Sequence, residues 1–153
     1  MTKVDIAMTH AELKAYLAGQ RTIRVATVGP DDEPHVVPLW FVWLDQTVFL
    51  NSTLGNPTVE NMLRTGRASG VIDDGELYDE LRGVEVRGRV ARAHEDPRVP
   101  DADRLWSEKY MSGNPTPYGR WRNRTWITLT PDRIASWDFR KIPEARARAR
   151  KET

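Results

Sequence analysis

Apolar and polar residues alternate with period two through the first third of the chain, which predicts β-strands. Thr22 to Val28 alternates and is β-branched, Pro34 to Trp43 predicts a second, largely buried strand, and Thr47 to Asn51 predicts a third. The turns around Gly29 and Asp45 are too short to hold a crossover helix. The three strands are therefore expected to form an antiparallel meander.

Four further strands are expected in the rest of the chain. Val84 to Ala93 alternates strictly, and Ala68 to Ile72 precedes it as a shorter strand. Trp126 to Thr130 and Ile134 to Phe139 are predicted as two separate strands, because Pro131-Asp132 interrupts the pattern. About seven mostly antiparallel strands usually close into a barrel, which removes exposed edges. The expected fold is mainly β, a β-barrel with a few helices.

Three helices are predicted between the strands from capping signals and helical spacing of apolar residues. The segments 52–57 and 112–119 are expected to be loops, because they are rich in small and turn-forming residues. From Pro143 onward the Ala-Arg repeat has period two, so it predicts no amphipathic stripe. The first helix is predicted to start at Thr9, with a capping box between Thr9 and Glu12, and to end at Gly19. The second is predicted to be capped by Thr58 and to end at Gly66. The third is predicted to be capped by Asp101 or Asp103 and to run through Met111.

Composition narrows the class of protein. The 153 residues suffice for one domain, expected to span 1–142, with a charged C-terminal tail at 143–153. There is no cysteine, which excludes a disulfide framework and a thiolate site. The N-terminus lacks the apolar stretch of a signal peptide, and no apolar run reaches the roughly 20 residues that span a bilayer. We expect a cytoplasmic protein with no membrane partner.

The charge distribution leaves one question open. The net charge of +1 gives no general case for nucleic acid, yet residues 140–151 hold six basic side chains against one acidic. Together with exposed tryptophans, this tail could bind nucleic acid with a salt-dependent affinity. A charged C-terminal run is more commonly a solvated tail, so no nucleic-acid partner is expected.

Few side chains could form a metal site or a catalytic site without a bound cofactor. No two of the three histidines have the spacing of metal ligands, so no metal site is expected. Asp73 and Asp74, followed by Glu76, could be paired carboxylates, but a turn with solvated charges suits them better. An enzyme with this sequence would take its reactive centre from a bound cofactor. The histidines are His10, expected at the surface; His35, a strand-edge residue or ligand contact; and His94, expected to be solvated.

The best local binding candidate is the segment from Asn51 to Thr58. It runs from a strand through a hydroxyl-rich loop into a helix N-terminus. Free N–H groups and a partial positive charge at such a terminus suit phosphate. An ordinary β-to-α turn capped by Thr58 is the alternative.

Four blocks of sequence resemble the pyridoxamine-phosphate-oxidase-like split barrels, in family order and over most of the chain. The resemblance implies a split antiparallel β-barrel, FMN-binding-like, and a homodimer with two cofactor sites at the subunit interface. The blocks are RVATVGPDDEPHVVPLWF from Arg24, NMLRTGRAS from Asn61, GVEVRGRV from Gly83, and RIASWDFRK from Arg133, the last similar to a motif of the actinobacterial flavin- and deazaflavin-dependent branch.

The resemblance also implies a coenzyme, with the F420-type deazaflavin preferred over FMN because of the last block. The coenzyme phosphate would lie near residues 52–61, the ring against residues 37–40, and the motif at 137–141 would close the site from the partner chain. The implied cofactor-binding residues are Val37, Pro38, Leu39, Trp40, Asn51, Ser52, Thr53, Asn56, Pro57, Thr58, Asn61, Trp137, Arg140 and Lys141.

One departure from the family concerns the phosphate. The family usually has Lys or Arg in the stretch that matches residues 56–60, whereas this chain has none there and adds Glu60. Loss of a charge-assisted hydrogen bond, about 1.5–3 kcal/mol, weakens binding roughly tenfold to a hundredfold. Arg64, Arg67 or an arginine of the partner chain are the candidates to replace it.

Two functions remain open. The first is an oxidoreductase that transfers a hydride between the coenzyme and a small conjugated or planar substrate, with no catalytic residue assigned. The second is a non-catalytic protein that binds or stores a cofactor or tetrapyrrole, which the missing basic residue favours. Candidates for the substrate wall, with core or dimer packing as the alternative, are Trp40, Trp43, Tyr118 and Trp121.

Overall fold

The computed structural model describes residues 5–151, and within them seven strands form one antiparallel sheet in the order β2-β1-β5-β6-β7-β4-β3. The mainly β architecture is therefore confirmed. The elements are α1 His10–Gly19, β1 Thr22–Val28, β2 Pro34–Trp40, β3 Val42–Leu44, β4 Thr47–Thr53, α2 Pro57–Thr65, β5 Arg67–Asp74, a 3₁₀ turn Tyr78–Glu80, β6 Arg82–Arg92, α3 Val99–Tyr110, β7 Arg124–Asp138, a 3₁₀ turn Phe139–Lys141 and α4 Ile142–Lys151.

The two edge strands of this sheet are neighbours in the chain. Only Phe41 separates β2 from β3, yet these strands stand at opposite ends of the strand order. The sheet must therefore curl until its two edges meet, which gives the expected split barrel. The Phe41 ring is fully buried inside, among the side chains of the barrel core.

A second apolar cluster lies outside the barrel, beneath α3. It joins Phe49 and Trp126 of the sheet to Ala102 and Trp106 of the helix. The strand β4 is consequently buried on both faces, with six of its seven residues buried. This double burial positions the candidate site, because the last residues of β4 emerge between the barrel and α3.

The prediction of one largely buried strand from Pro34 to Trp43 was wrong. Residues of β2 alternate between exposed and half-buried, because this edge strand has β1 as its hydrogen-bonded neighbour. At Phe41 the backbone N–H is donated to the Tyr110 hydroxyl, at 3.0 Å, and the chain then joins β4 as strand β3. The long apolar run therefore forms two strands, β2 and β3, at opposite edges of the sheet.

The final strand also differs from the prediction. Instead of two strands split at Pro131-Asp132, β7 is continuous, with an irregularity in its pairing to β6 between Arg87 and Gly88. Gly88 pairs with Pro131, which has no N–H for the ladder, so the irregularity accommodates it. A Cβ atom on Gly88 would lie only 2.0 Å from the Thr130 carbonyl oxygen, so this position requires glycine.

Helix α1 has the predicted capping box and ends at Gly19, but the other helix starts needed correction. Asn56, not Thr58, caps α2: its Oδ1 accepts from the Val59 N–H at 2.8 Å, and Pro57 suits the first helical position. The predicted end of α2 at Gly66 is confirmed by its left-handed conformation.

Helix α3 begins before both predicted aspartate caps, at Val99, and it ends at Tyr110 rather than at Met111. Pro100 lies in the first turn, where its fixed φ favours the helix. The charged tail forms helix α4, although its described side chains are half-buried or exposed. Alanine and arginine are strong helix formers, and the period-two pattern gave no sign of this propensity.

Candidate functional site

A groove of about 440 Å³ lies beside the C-terminal end of β2. Strand β4, helix α3 and the start of β7 supply its other walls. Six of the ten lining residues are among the predicted cofactor-binding residues, and Trp121 is a predicted wall residue. The lining residues are Pro38, Leu39, Trp40, Asn51, Ser52, Thr53, Trp106, Trp121, Arg122 and Arg124.

The groove has a rigid aromatic wall. Trp40 is stacked on Tyr110, with ring centroids 4.4 Å apart and planes within 5°, and it meets the edge of Trp106 at 5.8 Å. Although both neighbours hold it in place, Trp40 remains 41% exposed. Trp121 contributes a further indole. A flat, conjugated molecule suits such a surface, because aromatic faces stack on one another.

Two buried hydrogen-bond donors of groove residues have no partner among the described residues. They are the Asn51 side-chain N–H₂ and the Trp106 indole N–H, on residues that are 5% and 1% exposed. A buried unsatisfied polar group costs about 1–3 kcal/mol, so native proteins normally satisfy it. These donors fit a ligand that offers acceptor atoms beside the aromatic wall.

Strand pairing explains why Arg124 reaches Asn51. Arg124 pairs with Thr53 across the β4–β7 ladder, so its side chain lies on the same face as those of Thr53 and Asn51. Its Nε donates to Asn51 Oδ1 at 2.8 Å, which leaves the amide N–H₂ of Asn51 without a partner. Burial of the guanidinium lowers the pKa of Arg124 from its ordinary value.

The residues around the start of α2 bind one another. Asn56 Nδ2 donates to Ser52 Oγ at 3.2 Å, the Gly55 N–H donates to Glu60 Oε1 at 3.2 Å, and the Thr58 hydroxyl is 2.9 Å from His35 Nε2. His35 therefore contacts α2. The predicted phosphate loop is thus largely closed by its own contacts, and Ser52 and Thr53 belong to strand β4 rather than to a loop.

The arginines expected to replace the missing basic residue do not line the groove. Arg64 donates to the Val28 carbonyl oxygen, and Arg67 pairs with Asp132 at 2.7 Å. Asn61 is buried and donates to the Thr27 hydroxyl at 3.1 Å. The contacts of Arg64 and Asn61 join α2 to β1, and the exposed pair of Arg67 with Asp132 joins β5 to β7.

The terminal motif lies at another cavity of the same chain, of about 360 Å³. Arg140 binds Asp138 through two hydrogen bonds of 2.9 and 2.6 Å, which lower the pKa of that carboxyl. Lys141 pairs with Glu12 at 2.5 Å, and the Trp137 ring packs against Gly83. This cavity and the groove have no lining residue in common, and none of Trp137, Arg140 and Lys141 lines the groove.

Two of the four predicted wall residues also lie elsewhere. Trp43 lines a mainly apolar cavity of about 270 Å³ together with Lys109. The Tyr118 hydroxyl donates to Asp103, and burial raises the pKa of Tyr118 to about 12. Val37 is half-buried in β2 and is not a lining residue of the groove.

The carboxylates of the Asp73-Asp74 turn are engaged in pairs. Asp73 accepts from Arg24 at 2.5 Å, and Asp74 accepts from Arg82 at 3.0 Å and from the Tyr16 hydroxyl at 3.0 Å. The two carboxylates therefore have a structural role, but the predicted turn with solvated charges was wrong, because Asp73 and Asp74 are the last residues of strand β5 and both are paired with arginines. Within residues 5–151 no group of three or more His, Cys, Asp or Glu side chains is arranged to hold a metal ion.

Sequence reasoning missed three groove residues: Trp106, Arg122 and Arg124. Trp106 was recognised only as an apolar position of a helix. Arg124 was not considered, and the strand was expected to start at Trp126, whereas β7 starts at Arg124 itself. The pairing of β7 with β4 sets this arginine opposite Thr53, and no local pattern in the sequence indicates that pairing.

These features define a split β-barrel with an aromatic, partly cationic groove outside its core. The chain belongs to the pyridoxamine 5′-phosphate oxidase family, whose sequence profile matches residues 9–138. No curated protein sequence matches it. No helix of the described part of the chain is long and apolar enough to cross a membrane.

Solved structures share this fold. The conserved hypothetical protein Rv2991 from Mycobacterium tuberculosis has a TM-score of 0.80 and 28% identity, with 94% of this chain and 92% of that chain covered. An F420 reductase has a TM-score of 0.60 and 23% identity, covering 79% and 94%. HutZ, the haem storage protein from Vibrio cholerae, has a TM-score of 0.66 and 14% identity, covering 82% and 92%.

Proposed function

We propose that this protein is an oxidoreductase that holds a flavin-type coenzyme in the groove, with the F420-type deazaflavin preferred over FMN. The observation that carries this proposal is the pair of buried, unpartnered donors on Asn51 and Trp106 beside the stacked Trp40. A flavin or deazaflavin ring is flat and carries several acceptor atoms, so it matches both features. The similarity of the fold to an F420 reductase supports the same class of ligand.

The residues of the groove would bind and orient the ring system. Pro38, Leu39 and Trp40 offer an apolar surface, and the two donors without a partner among the described residues offer hydrogen bonds. The coenzyme supplies hydride transfer when it is bound, and the chain supplies orientation and exclusion of water. The described lining residues include no Cys, His, Lys, Asp or Glu, in agreement with chemistry that resides in a coenzyme.

Haem storage, the role carried in the name of HutZ from Vibrio cholerae, receives less support in this chain. Protein ligands of haem iron are His, Cys, Met or Tyr side chains. None of these residue types lines the groove in the described part of the chain. We therefore expect haem to bind more weakly than a flavin-type coenzyme, and comparative titration of both ligands measures this difference.

We also propose a homodimer, as the family resemblance implies. Apolar side chains remain exposed on the sheet, among them Val36 at 65% and Val28 at 45%. Both lie on the neighbouring strands β1 and β2, where a second copy could cover them. Light scattering at micromolar concentration should give twice the chain mass of 17.5 kDa, and a monomeric mass would contradict the dimer.

The test of the coenzyme proposal is an equilibrium titration of the dialysed protein with the deazaflavin coenzyme and with FMN. Quenching of the groove tryptophans should report a dissociation constant below about 100 μM, or roughly 5.5 kcal/mol of binding free energy, for at least one of them. Trp121→Leu should weaken binding, whereas Trp137→Leu, outside the groove, serves as the control within one chain. If neither coenzyme binds in this range, the proposed function fails.

A further inference from the structure

We propose that Arg124, with Arg122, binds the phosphate of the groove ligand, in place of the start of α2. The identity of the ligand as a phosphate-bearing coenzyme rests on the proposed function, whereas the anion site itself is carried by this chain's own contacts. Both arginines line the groove. Arg124 is the first residue of β7, and Arg122 lies two residues before it.

The start of α2 is a poor place for a phosphate in this chain. Asn56 already accepts from the Val59 N–H, and Glu60 accepts from the Gly55 N–H. These are two of the backbone donors that a phosphate at this terminus would otherwise use, and Pro57 at the first helical position has no N–H to offer. The Glu60 carboxylate also adds a negative charge at this terminus, which repels an incoming anion.

Arg124 has the opposite character. Its guanidinium donates to Asn51 Oδ1 at 2.8 Å, to the Asn51 carbonyl oxygen at 2.9 Å and to the Thr53 hydroxyl at 3.4 Å, all of them neutral acceptors. Three of its five N–H donors are thereby used, and two remain for a ligand. No carboxylate of the described residues lies within 4.0 Å of it.

An uncompensated cation beside a partly buried groove favours an anion. Burial lowers the pKa of Arg124 because its charge loses hydration. A bound phosphate would stabilise the charged guanidinium, because an opposite charge nearby offsets the lost hydration. Arginine binds phosphate through two parallel hydrogen bonds, which the two remaining donors permit. Trp121 adds a constraint, since its ring centroid is 5.1 Å from the Arg124 guanidinium carbon and limits where the guanidinium moves.

Asn51 links the anion site to the aromatic part of the groove. Arg124 holds its Oδ1, so the amide is oriented with the N–H₂ free of protein partners among the described residues. One residue therefore contacts the cation and also offers a donor to the ligand. This arrangement places the charged and the aromatic parts of the site on adjoining walls of one groove.

The first test uses inorganic phosphate as the probe and nitrogen-15 NMR of the full chain as the readout. Phosphate, compared with chloride at equal ionic strength, should shift the Arg124 Nε–H and Asn51 Nδ2–H₂ signals in a saturable way. Arg122→Gln should weaken the effect without unfolding the protein, because Arg122 is exposed. Largest shifts at the Thr58 and Val59 backbone amides would overturn the proposal.

The second test compares FMN with riboflavin, which lacks the phosphate. The protein should bind FMN at least about tenfold more tightly, and Arg124→Met should remove this preference, a loss of roughly tenfold to a hundredfold. Arg133→Gln, an exposed arginine of the same strand outside the groove, should leave it unchanged. Arg124→Lys retains the charge and should show an intermediate preference if the Met variant is unstable.

Glu60→Gln separates the two possible phosphate positions. With the phosphate at Arg124, this variant should change FMN affinity by less than about twofold. A marked tightening of FMN relative to riboflavin would place the phosphate at α2 and overturn the proposal. Failure of every coenzyme to bind would contradict the proposed function alone, because the inorganic phosphate titration still decides whether Arg124 forms an anion site.

Discussion

Arg124 and Asn51 show how one contact decides the character of a site. The guanidinium takes the amide oxygen of Asn51, and the remaining N–H₂ group stays buried without a partner in the described part of the chain. The sequence placed Asn51 in the binding segment but gave no sign of Arg124, which is 73 residues away along the chain. Cross-strand pairing brings the two together, and a pattern within one segment does not contain that information.

At this scale we expect Asn51→Asp to abolish the anion preference of the groove. The new carboxylate would pair with Arg124 and neutralise it, so FMN should lose about tenfold or more in affinity relative to riboflavin. The measurement is a pair of parallel titrations. Asn114→Asp makes the same change of charge at an exposed position outside the groove and should have no effect. Retention of the full FMN preference by Asn51→Asp would contradict the role of Arg124.

The elements around the site were predictable in kind and less so in their ends. Helix α2 was expected from its apolar spacing, but its cap was assigned to Thr58 because the preceding Pro57 was counted as loop. Strand β7 was divided at Pro131, because the tolerance of a proline at a pairing irregularity depends on the partner strand. The first error was avoidable, because Asn56 directly before Pro57 is a local signature of a helix start, whereas the second depends on a partner strand that local pattern does not include.

Capping of α2 gives a direct test at this scale. Asn56→Ala removes the acceptor for the Val59 N–H and should lower the free energy of unfolding by about 0.5–2 kcal/mol in chemical denaturation. Asn56→Asp retains the acceptor and should be close to the parent protein. Equal losses for both variants would argue against the cap.

Helix α3 carries a half-buried lysine whose titration should affect stability. Lys109 Nζ lies 3.3 Å from the Phe41 carbonyl oxygen and 4.2 Å from the Phe41 ring centroid. Burial, with a smaller contribution from the charge of Arg21, lowers its pKa to about 8. The unfolded chain, with a lysine pKa of about 10.4, then binds more protons than the folded protein between roughly pH 8 and 10.

The contribution of Lys109 to stability should therefore rise with pH in that window. Thermal unfolding of the parent protein and of Lys109→Met, compared at about pH 8 and about pH 9.5, measures this effect. The melting temperature of the parent should increase relative to that of the variant. Parallel pH dependences of the two proteins would show that the pKa of Lys109 is not lowered by folding.

At the scale of the whole molecule, one segment closes the barrel. The sequence predicted a mainly β barrel because strands outnumber helices and the connections are short, and that expectation is confirmed. Strand order was beyond its reach, since β2 and β3 were expected to be one strand and occupy opposite edges of the sheet. The groove depends on this closure, which sets the end of β2 beside β4 and α3.

The irregularity between β6 and β7 should contribute to the free energy of unfolding of the barrel. Gly88→Ala introduces a Cβ 2.0 Å from the Thr130 carbonyl oxygen and should destabilise the protein by about 1–3 kcal/mol. Gly19→Ala, with no atom within 4 Å of the added carbon, is the matched control and should be close to neutral. Equal unfolding free energies for the two variants would contradict the tight packing at Gly88.

The central claim is that the groove between β2, β4, α3 and β7 holds a flavin-type coenzyme. A crystal structure of the protein with FMN or the deazaflavin coenzyme tests it most directly. We expect the ring against Pro38, Leu39 and Trp40, with its acceptor atoms within hydrogen-bond distance of Asn51 Nδ2 or Trp106 Nε1. A ring bound elsewhere, such as at the cavity beside Arg140, would contradict the claim.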